Sequence, residues 1–283
     1  GMNNETRRKI VSRIAEVLCA LAVVLALIPL ALILFYVIAH GASALNLAFF
    51  TRMPEPVGES GGGMANAIVG TLILIGIAAA IAVPVGMLCG IHLSEFHGTR
   101  FASIVRFAAD VLNGVPSIVI GIFAYGIVVL PIKRFSALAG GVALGMLMIP
   151  IVVRTTEELL RLVPPGLREG ALALGATRSG AVFTVIVPAA LPGILTGVLV
   201  AIARVAGETA PLLFTAFNNR FWSANVMQPI ASLPVQVYTY AISPYDDWHR
   251  QAWAGAFLLV LMILSLSIVA RTAVRRLERM NRP

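Results

Sequence analysis

Long stretches without a charge alternate with short polar connectors along this chain, and the apolar stretches match the thickness of a bilayer. A helix rises 1.5 Å per residue, so about 20 apolar residues cross the hydrocarbon core. Residues 17–39 form the first such run and hold no charge. They follow a polar, basic tail, 1–16, with Arg7, Arg8, Lys9 and Arg13. A secretory leader shares that order, but its apolar core runs about 7–15 residues and ends at a small-residue cleavage site. This run is longer and no such site follows it, so it is expected to remain as the first span. Further spans are predicted at 64–93, 104–130, 135–153, 188–217 and 252–270, giving an all-α, polytopic membrane protein with six transmembrane helices.

The connectors refine the picture. Residues 40–63 are polar and end in glycines. Residues 131–134 make a short turn. Residues 154–187 hold the longest charged stretch, and positions 166–180 suit a short surface helix broken at Gly175. Residues 218–251 carry Trp222, Tyr238, Tyr240, Tyr245 and Trp248, aromatics of the kind that gather at a membrane interface. Residues 226–241 suit a short interfacial helix that Pro229 and Pro234 interrupt. Residues 271–283 form a basic tail.

Charge sets the orientation. With both termini in the cytoplasm, the inner segments hold Arg7, Arg8, Lys9, Arg13, Arg100, Arg106, Arg154, Arg161, Arg168, Arg178, Arg271, Arg275, Arg276, Arg279 and Arg282. The outer segments hold Arg52, Lys133, Arg134, Arg220 and Arg250. That is a firm positive-inside bias. It places 154–187 in the cytoplasm and 218–251 outside.

Composition agrees. Hydrophobic residues make up 59% and charged residues 12%, against about 25% charged in a soluble domain. The net charge of +8 raises nucleic acid as a partner. The basic residues flank apolar runs, however, so the expected partner is the lipid bilayer and no nucleic acid. Cys19 and Cys89 both lie in apolar segments and read as small buried side chains, not a disulfide or metal pair. His92 and His97 with Glu95 match no familiar ligand spacing and read as loop residues.

One apolar run contains charge. Residues 201–216 read AIARVAGETAPLLFTA, with Arg204 and Glu208 one helical turn apart and so on one face. A charge at the centre of a spanning helix costs about 2.5–3.5 kcal/mol on insertion scales and usually faces a polar route. Arg204 is then available to an anion. The alternative is an intrahelical ion pair with no substrate role. Asn113 and Ser117 share a face around Pro116, which breaks or bends the third span. They suit a polar path or interhelical hydrogen bonds. Gly141 and Gly145 form a small-residue packing face.

Motifs exclude much else. Gly58, Ser60 and Gly62 fit G-x-S-x-G, but a nucleophile elbow needs a strand before it, a helix after it and His and acid partners. The chain has no phosphate loop of the G-x-x-x-x-G-K-[ST] type and no H-E-x-x-H. No enzyme and no bound cofactor are expected.

The cytoplasmic loop reads Arg168-Glu-Gly-Ala-Leu-Ala-Leu-Gly175, then Val185-Ile-Val-Pro188. It resembles the EAA loop of ABC importer permeases, with Glu169, Ala171, Gly175 and Pro188 in register and Gly170 in place of the first alanine. Further phrases resemble the PstA-type permeases of phosphate ABC transporters. They begin at Gly62 (GGMANAIVGT), Asn113 (NGVPSI), Leu174 (LGAT), Pro188 (PAALPGILTG) and Ala203 (ARVAGETAPLLF). The resemblance implies a type I ABC importer permease fold over 64–270 and a coupling loop at 154–187. Arg168, Glu169, Ala171, Gly175 and Pro188 would serve ATPase coupling. Arg204, Glu208, Thr209, Asn113 and Ser117 would line the substrate path.

It also implies partners: a homologous second permease of the PstC type, a dimer of ATP-binding cassette ATPases that uses the ATP, and an extracytoplasmic phosphate-binding protein. The implied setting is the bacterial cytoplasmic (inner) membrane. Two other readings of the function remain. One is a permease for another oxyanion, such as molybdate, sulfate or phosphonate. The other is an ATP-independent channel or carrier.

Overall fold

The computed structural model describes residues 4–280, and every regular element among them is helical. Helix α1 (Asn4–Gly41) is followed by the short α2 (Leu47–Thr51) and by α3 (Ala65–Glu95). Then come α4 (Arg100–Gly114), α5 (Ser117–Ile132) and α6 (Ala137–Arg161). The chain continues through α7 (Pro165–Ala173), α8 (Arg178–Ala206) and α9 (Ala210–Leu213). It ends with α10 (Leu233–Ala241) and α11 (Asp246–Met280).

Five helices are long and apolar enough to cross a membrane: α1, α3, α6, α8 and α11. The sixth span, expected as one helix over 104–130, is instead α4 and α5 meeting at 107°. Pro116 has no N–H to give, and Val115 before it adopts extended backbone, φ −72° and ψ 131°, as a residue preceding proline does. Asn113 and Ser117 therefore lie on two helices and do not share a face.

Helix α6 is the centre of the bundle, and α3, α4, α5, α8 and α9 all pack on it. Lipid offers no hydrophobic drive between helices, so close backbone approach supplies the contact. A Cβ at Gly86 of α3 would meet Val152 Cβ at 2.7 Å, and one at Gly90 would meet Thr156 Cβ at 2.6 Å. The Gly141–Gly145 face of α6 meets the same helix further along, at Ile77 and Ile81. Helix α1 leaves the bundle free of burial over its apolar window. Cys19 lies there, exposed to the surroundings, so the expectation of a buried thiol fails at that residue. Cys89 is half-buried.

Two π-helical turns, Tyr125–Val129 and Val182–Ile186, interrupt α5 and α8. Each ends two residues before a proline. The Leu130 N–H bonds to the Tyr125 carbonyl and the Val187 N–H to the Val182 carbonyl. The extra residue per turn shifts the register just before Pro131 and Pro188 withdraw a donor.

Several predicted boundaries move. Helix α6 runs on to Arg161, past the expected end at 153. Helix α8 begins at Arg178, ten residues before the expected start at Pro188. The expected surface helix over 166–180 is α7, which closes at Gly175 (φ +88°). The Ala176 N–H caps it on the Ala171 carbonyl at 3.1 Å, as a left-handed glycine allows.

The segment expected as an interfacial helix over 226–241 becomes helical only at Leu233, with one face buried in the protein and Tyr238 exposed. Leu233, Pro234, Val235, Gln236 and Tyr240 of α10 are all buried. The Thr71 hydroxyl accepts from the Leu233 N–H at 2.8 Å, and Asn66 donates to the Asn219 carbonyl at 2.7 Å. The glycine-rich 58–62 stretch is a connector closing on the start of α11, where the Gly61 N–H donates to Asp247 at 3.1 Å. No nucleophile elbow forms there. His92 stacks on Phe96 with centroids 4.8 Å apart.

Candidate functional site

The site is built from two helix breaks held against each other. Helix α8 stops at Ala206, and its failure to continue has a local cause. Pro211 cannot donate to the Gly207 carbonyl four residues back, so an α-helix cannot run through 207–211. Gly207 closes α8, and α9 restarts at Ala210 with Pro211 in its first turn. Arg204 and Glu208 therefore do not share one helical face, which corrects the expectation from their spacing. Among the described residues they form no ion pair with each other or with a third group. Arg204 is exposed, and Glu208 and Thr209 are half-buried in the turn.

The second break is the α4–α5 corner. A Cβ at Gly121 of α5 would stand 2.6 Å from the Pro211 Cα, so the two segments cross with no side chain between them. Ser117 lies one turn before Gly121 on the same face of α5, half-buried, with Pro116 at the helix start and Asn113 exposed just before the corner. The structure thus brings α5 and the 207–213 turn together, with Asn113 at the edge of that corner. Arg204 lies in the last turn of α8, where a cation offsets the negative end of the helix dipole. The N-terminus of α5 presents the opposite, positive end. Broken helices of this kind put helix ends and irregular backbone at ligand height inside a membrane.

The turn is fixed from behind. Leu212 and Ala216 pack beneath Gly140 of α6. The free N–H groups at the α6 start are taken by the same loop: Ser136 donates to Thr215 at 3.0 Å, Ala137 to Gln228 at 2.9 Å and Leu138 to Val226 at 2.8 Å. Phe217 takes a left-handed conformation, φ +61°, and stacks on Phe135 with centroids 5.1 Å apart.

A second set lies at the far end of the bundle. Helix α7 stands almost clear of the protein, with Leu167, Leu172 and Leu174 exposed, the last at 92%. Its tether is Arg168, which donates to both carboxylate oxygens of Glu95 at the end of α3. The hydrogen bond it donates to Glu95 raises the Arg168 pKa above its ordinary value. Arg178 also approaches Glu95 at 3.6 Å and lies over the Phe96 ring. Arg168 and Glu169 thus part company: one anchors the helix inward, the other is exposed. Ala171 and Gly175 shape the α7 exit, whereas Pro188 lies inside α8, beyond the π turn.

Sequence reasoning missed the charge centre between α4 and α6. Glu157 is fully buried and accepts from Arg106 at 2.6 and 3.0 Å and from Arg154 at 2.9 Å. Arg154 also meets Asp110 at 3.1 Å. The signal was the spacing of Arg154, Glu157 and Arg161, three and four residues apart on a helix. It was hidden by ending that helix at 153.

The chain resembles known proteins over most of its length. The family described as binding-protein-dependent transport system inner membrane component matches residues 82–282. A Yersinia pestis protein named phosphate transport system permease protein PstA is 46% identical over 261 residues, 92% of this chain and 88% of that protein. A Haemophilus influenzae protein of the same name is 46% identical over 265 residues, 93% and 94% of the two chains. Among solved structures, a bacterial alginate ABC transporter, in complex with an alginate pentasaccharide-bound periplasmic protein, superposes with a TM-score of 0.67 at 12% identity. That match covers 95% of this chain and 96% of the other. The architecture is the type I ABC importer permease fold, and the chain belongs to the family of binding-protein-dependent transport system inner membrane components.

Proposed function

We propose that this chain is one of two transmembrane subunits of an ATP-driven importer of inorganic phosphate in a bacterial inner membrane. The observation that supports this is the Gly121–Pro211 crossing, which sets the segment just after the Arg204–Thr209 turn against α5. Relatives named for phosphate transport, 46% identical to this chain, supply the substrate. Phosphate at neutral pH carries between one and two negative charges and needs a cation and hydrogen-bond donors. Arg204 provides the planar fork, and Ser117, Thr209 and Asn113 provide polar side chains. Glu208 keeps the net attraction weak enough for release. Arg204 points out of this chain, so the route is completed by a second, homologous permease of the PstC type.

In this reading both termini face the cytoplasm, in keeping with the excess of basic residues on that side. An extracytoplasmic phosphate-binding protein docks on the 40–63 and 218–251 segments. Helix α7 is the coupling helix, and its exposed leucines and Glu169 seat in a separate ATPase subunit. That subunit binds and hydrolyses the ATP. Closure of the ATPase dimer moves α7, and the Arg168–Glu95 tie passes the movement to α3. The two permeases then rock between outward and inward states, a rigid-body change about their shared interface.

The test is ATP hydrolysis and uptake by the reconstituted complex with phosphate, sulfate and molybdate in parallel. Stimulation by loaded phosphate-binding protein alone supports the assignment. Stimulation by another anion replaces the substrate and keeps the architecture. Uptake with no ATPase bound would establish a channel or carrier instead.

A further inference from the structure

A cavity of about 500 Å³ lies between the end of α6, the base of α7 and the corner joining α3 to α4. Its polar lining comprises Ser94, Glu95, His97, Arg161, Arg168 and Arg178. Three guanidinium groups thus face a single carboxylate. Arg168 and Arg178 are both held by Glu95, and Arg178 is braced by the Phe96 ring 5.1 Å away. Arg161 has only a 3.6 Å approach to Glu157. That carboxylate already accepts hydrogen bonds from Arg106 and Arg154, so Arg161 is left largely uncompensated.

We propose that this cavity binds a phosphate group, from free phosphate or from the headgroup of an anionic lipid, through Arg161 and Arg178. The volume suits a small ligand. Arg178 is oriented by Glu95 and the Phe96 ring, Arg161 keeps its fork largely free, and a guanidinium matches phosphate oxygens two at a time. A basic pocket between helices at a membrane surface is also where anionic headgroups settle. The site is separate from the Arg204 turn. Its occupant bridges the end of α6 to the start of α8, the two helices that α7 links, so it bears on the element that meets the ATPase. The compartment it faces rests on the importer reading above; its charge does not.

The test uses the full chain with its associated subunits in nanodiscs of neutral phosphatidylcholine, without nucleotide, in an Arg204→Ala background that removes the route's own cation. One arm measures binding of radiolabelled inorganic phosphate. The other measures retention of phosphatidylglycerol by native mass spectrometry. At least one probe should bind, and Arg161→Gln and Arg178→Gln should each weaken it about tenfold, with thermal stability recorded to show that both variants fold. Loss confined to the phosphate arm identifies free phosphate, and loss confined to the lipid arm identifies the headgroup. Binding of neither probe, or equal binding by the double variant, overturns the proposal. Phosphate uptake by the wild-type complex, measured alongside, tests the importer reading independently.

Discussion

Arg168 hydrogen-bonds both oxygens of Glu95, a residue 73 positions earlier in the chain. No other ion pair among the described residues joins α7 to the spanning bundle. Glu95→Ala should loosen α7 and cost roughly 2–3 kcal/mol, the low end for a broken buried pair because the arginine is partly exposed. Faster limited proteolysis at 162–177 and a loss of ATP-coupled uptake are the expected readouts. The exchange Glu95→Arg with Arg168→Glu should recover part of the coupling. Normal coupling in Glu95→Ala would show that the tie transmits nothing.

Gly121 has no room for a side chain against Pro211. Gly121→Val should cost about 1–3 kcal/mol through overpacking and should move the Arg204 turn, cutting uptake by more than tenfold. Gly126, five residues on, has open space around it, so Gly126→Ala is the control with little effect. Equal uptake by the two variants would remove the crossing from the mechanism.

The Arg204 side chain makes no hydrogen bond or ion pair among the described residues. Arg204→Ala should therefore leave assembly and thermal stability within about 0.5 kcal/mol of wild type, while phosphate uptake falls at least tenfold. Arg204→Lys should recover only part, since an ammonium lacks the planar fork. Wild-type uptake by Arg204→Ala would sink the proposed route.

Glu157 compensates arginines from two helices while fully buried. Glu157→Ala should destabilise the α4–α6 contact by about 3–5 kcal/mol, visible as a lower Tm and poor recovery from the membrane. Glu158 is its neighbour but its side chain is 66% exposed, so Glu158→Ala should change little.

Leu174 is exposed at the tip of α7. Leu174→Asp should leave the fold intact and weaken retention of the ATPase subunit on a tagged-chain pull-down. Unchanged retention would move the docking surface elsewhere.

Much of this was legible in the sequence because span length and charge asymmetry are physical requirements of a bilayer. The run at 17–39 lies inside α1, which extends further at its start, and the run at 64–93 matches α3 to within two residues at each end. The Arg204–Glu208 pair was legible as charge in an apolar run. Its geometry was misjudged because periodicity outweighed Pro211, whose missing donor ends the helix. The Asn113–Ser117 face failed for the same reason at Pro116. The Glu95–Arg168 tie was hidden differently: a pair so far apart in sequence leaves no local spacing to read. The phrase GGMANAIVGT looked like a family mark. In the structure its Asn66 and Thr71 are the hydrogen-bonding partners of the 219–233 segment.

Helix α6 carries a mechanical consequence. Its 25 residues form a shaft about 38 Å long at 1.5 Å per residue. Leu212 and Ala216, beyond the Arg204 turn, pack at one end, and α7 follows directly from the other. The glycine contacts with α3 brace the shaft, so in the proposed transport cycle it would move as one lever. A tilt of roughly 10° about one end of such a shaft carries the other through about 6–7 Å. That stroke exceeds the diameter of a small oxyanion, so a modest rotation at the coupling end is sufficient to open or shut a path at the far end.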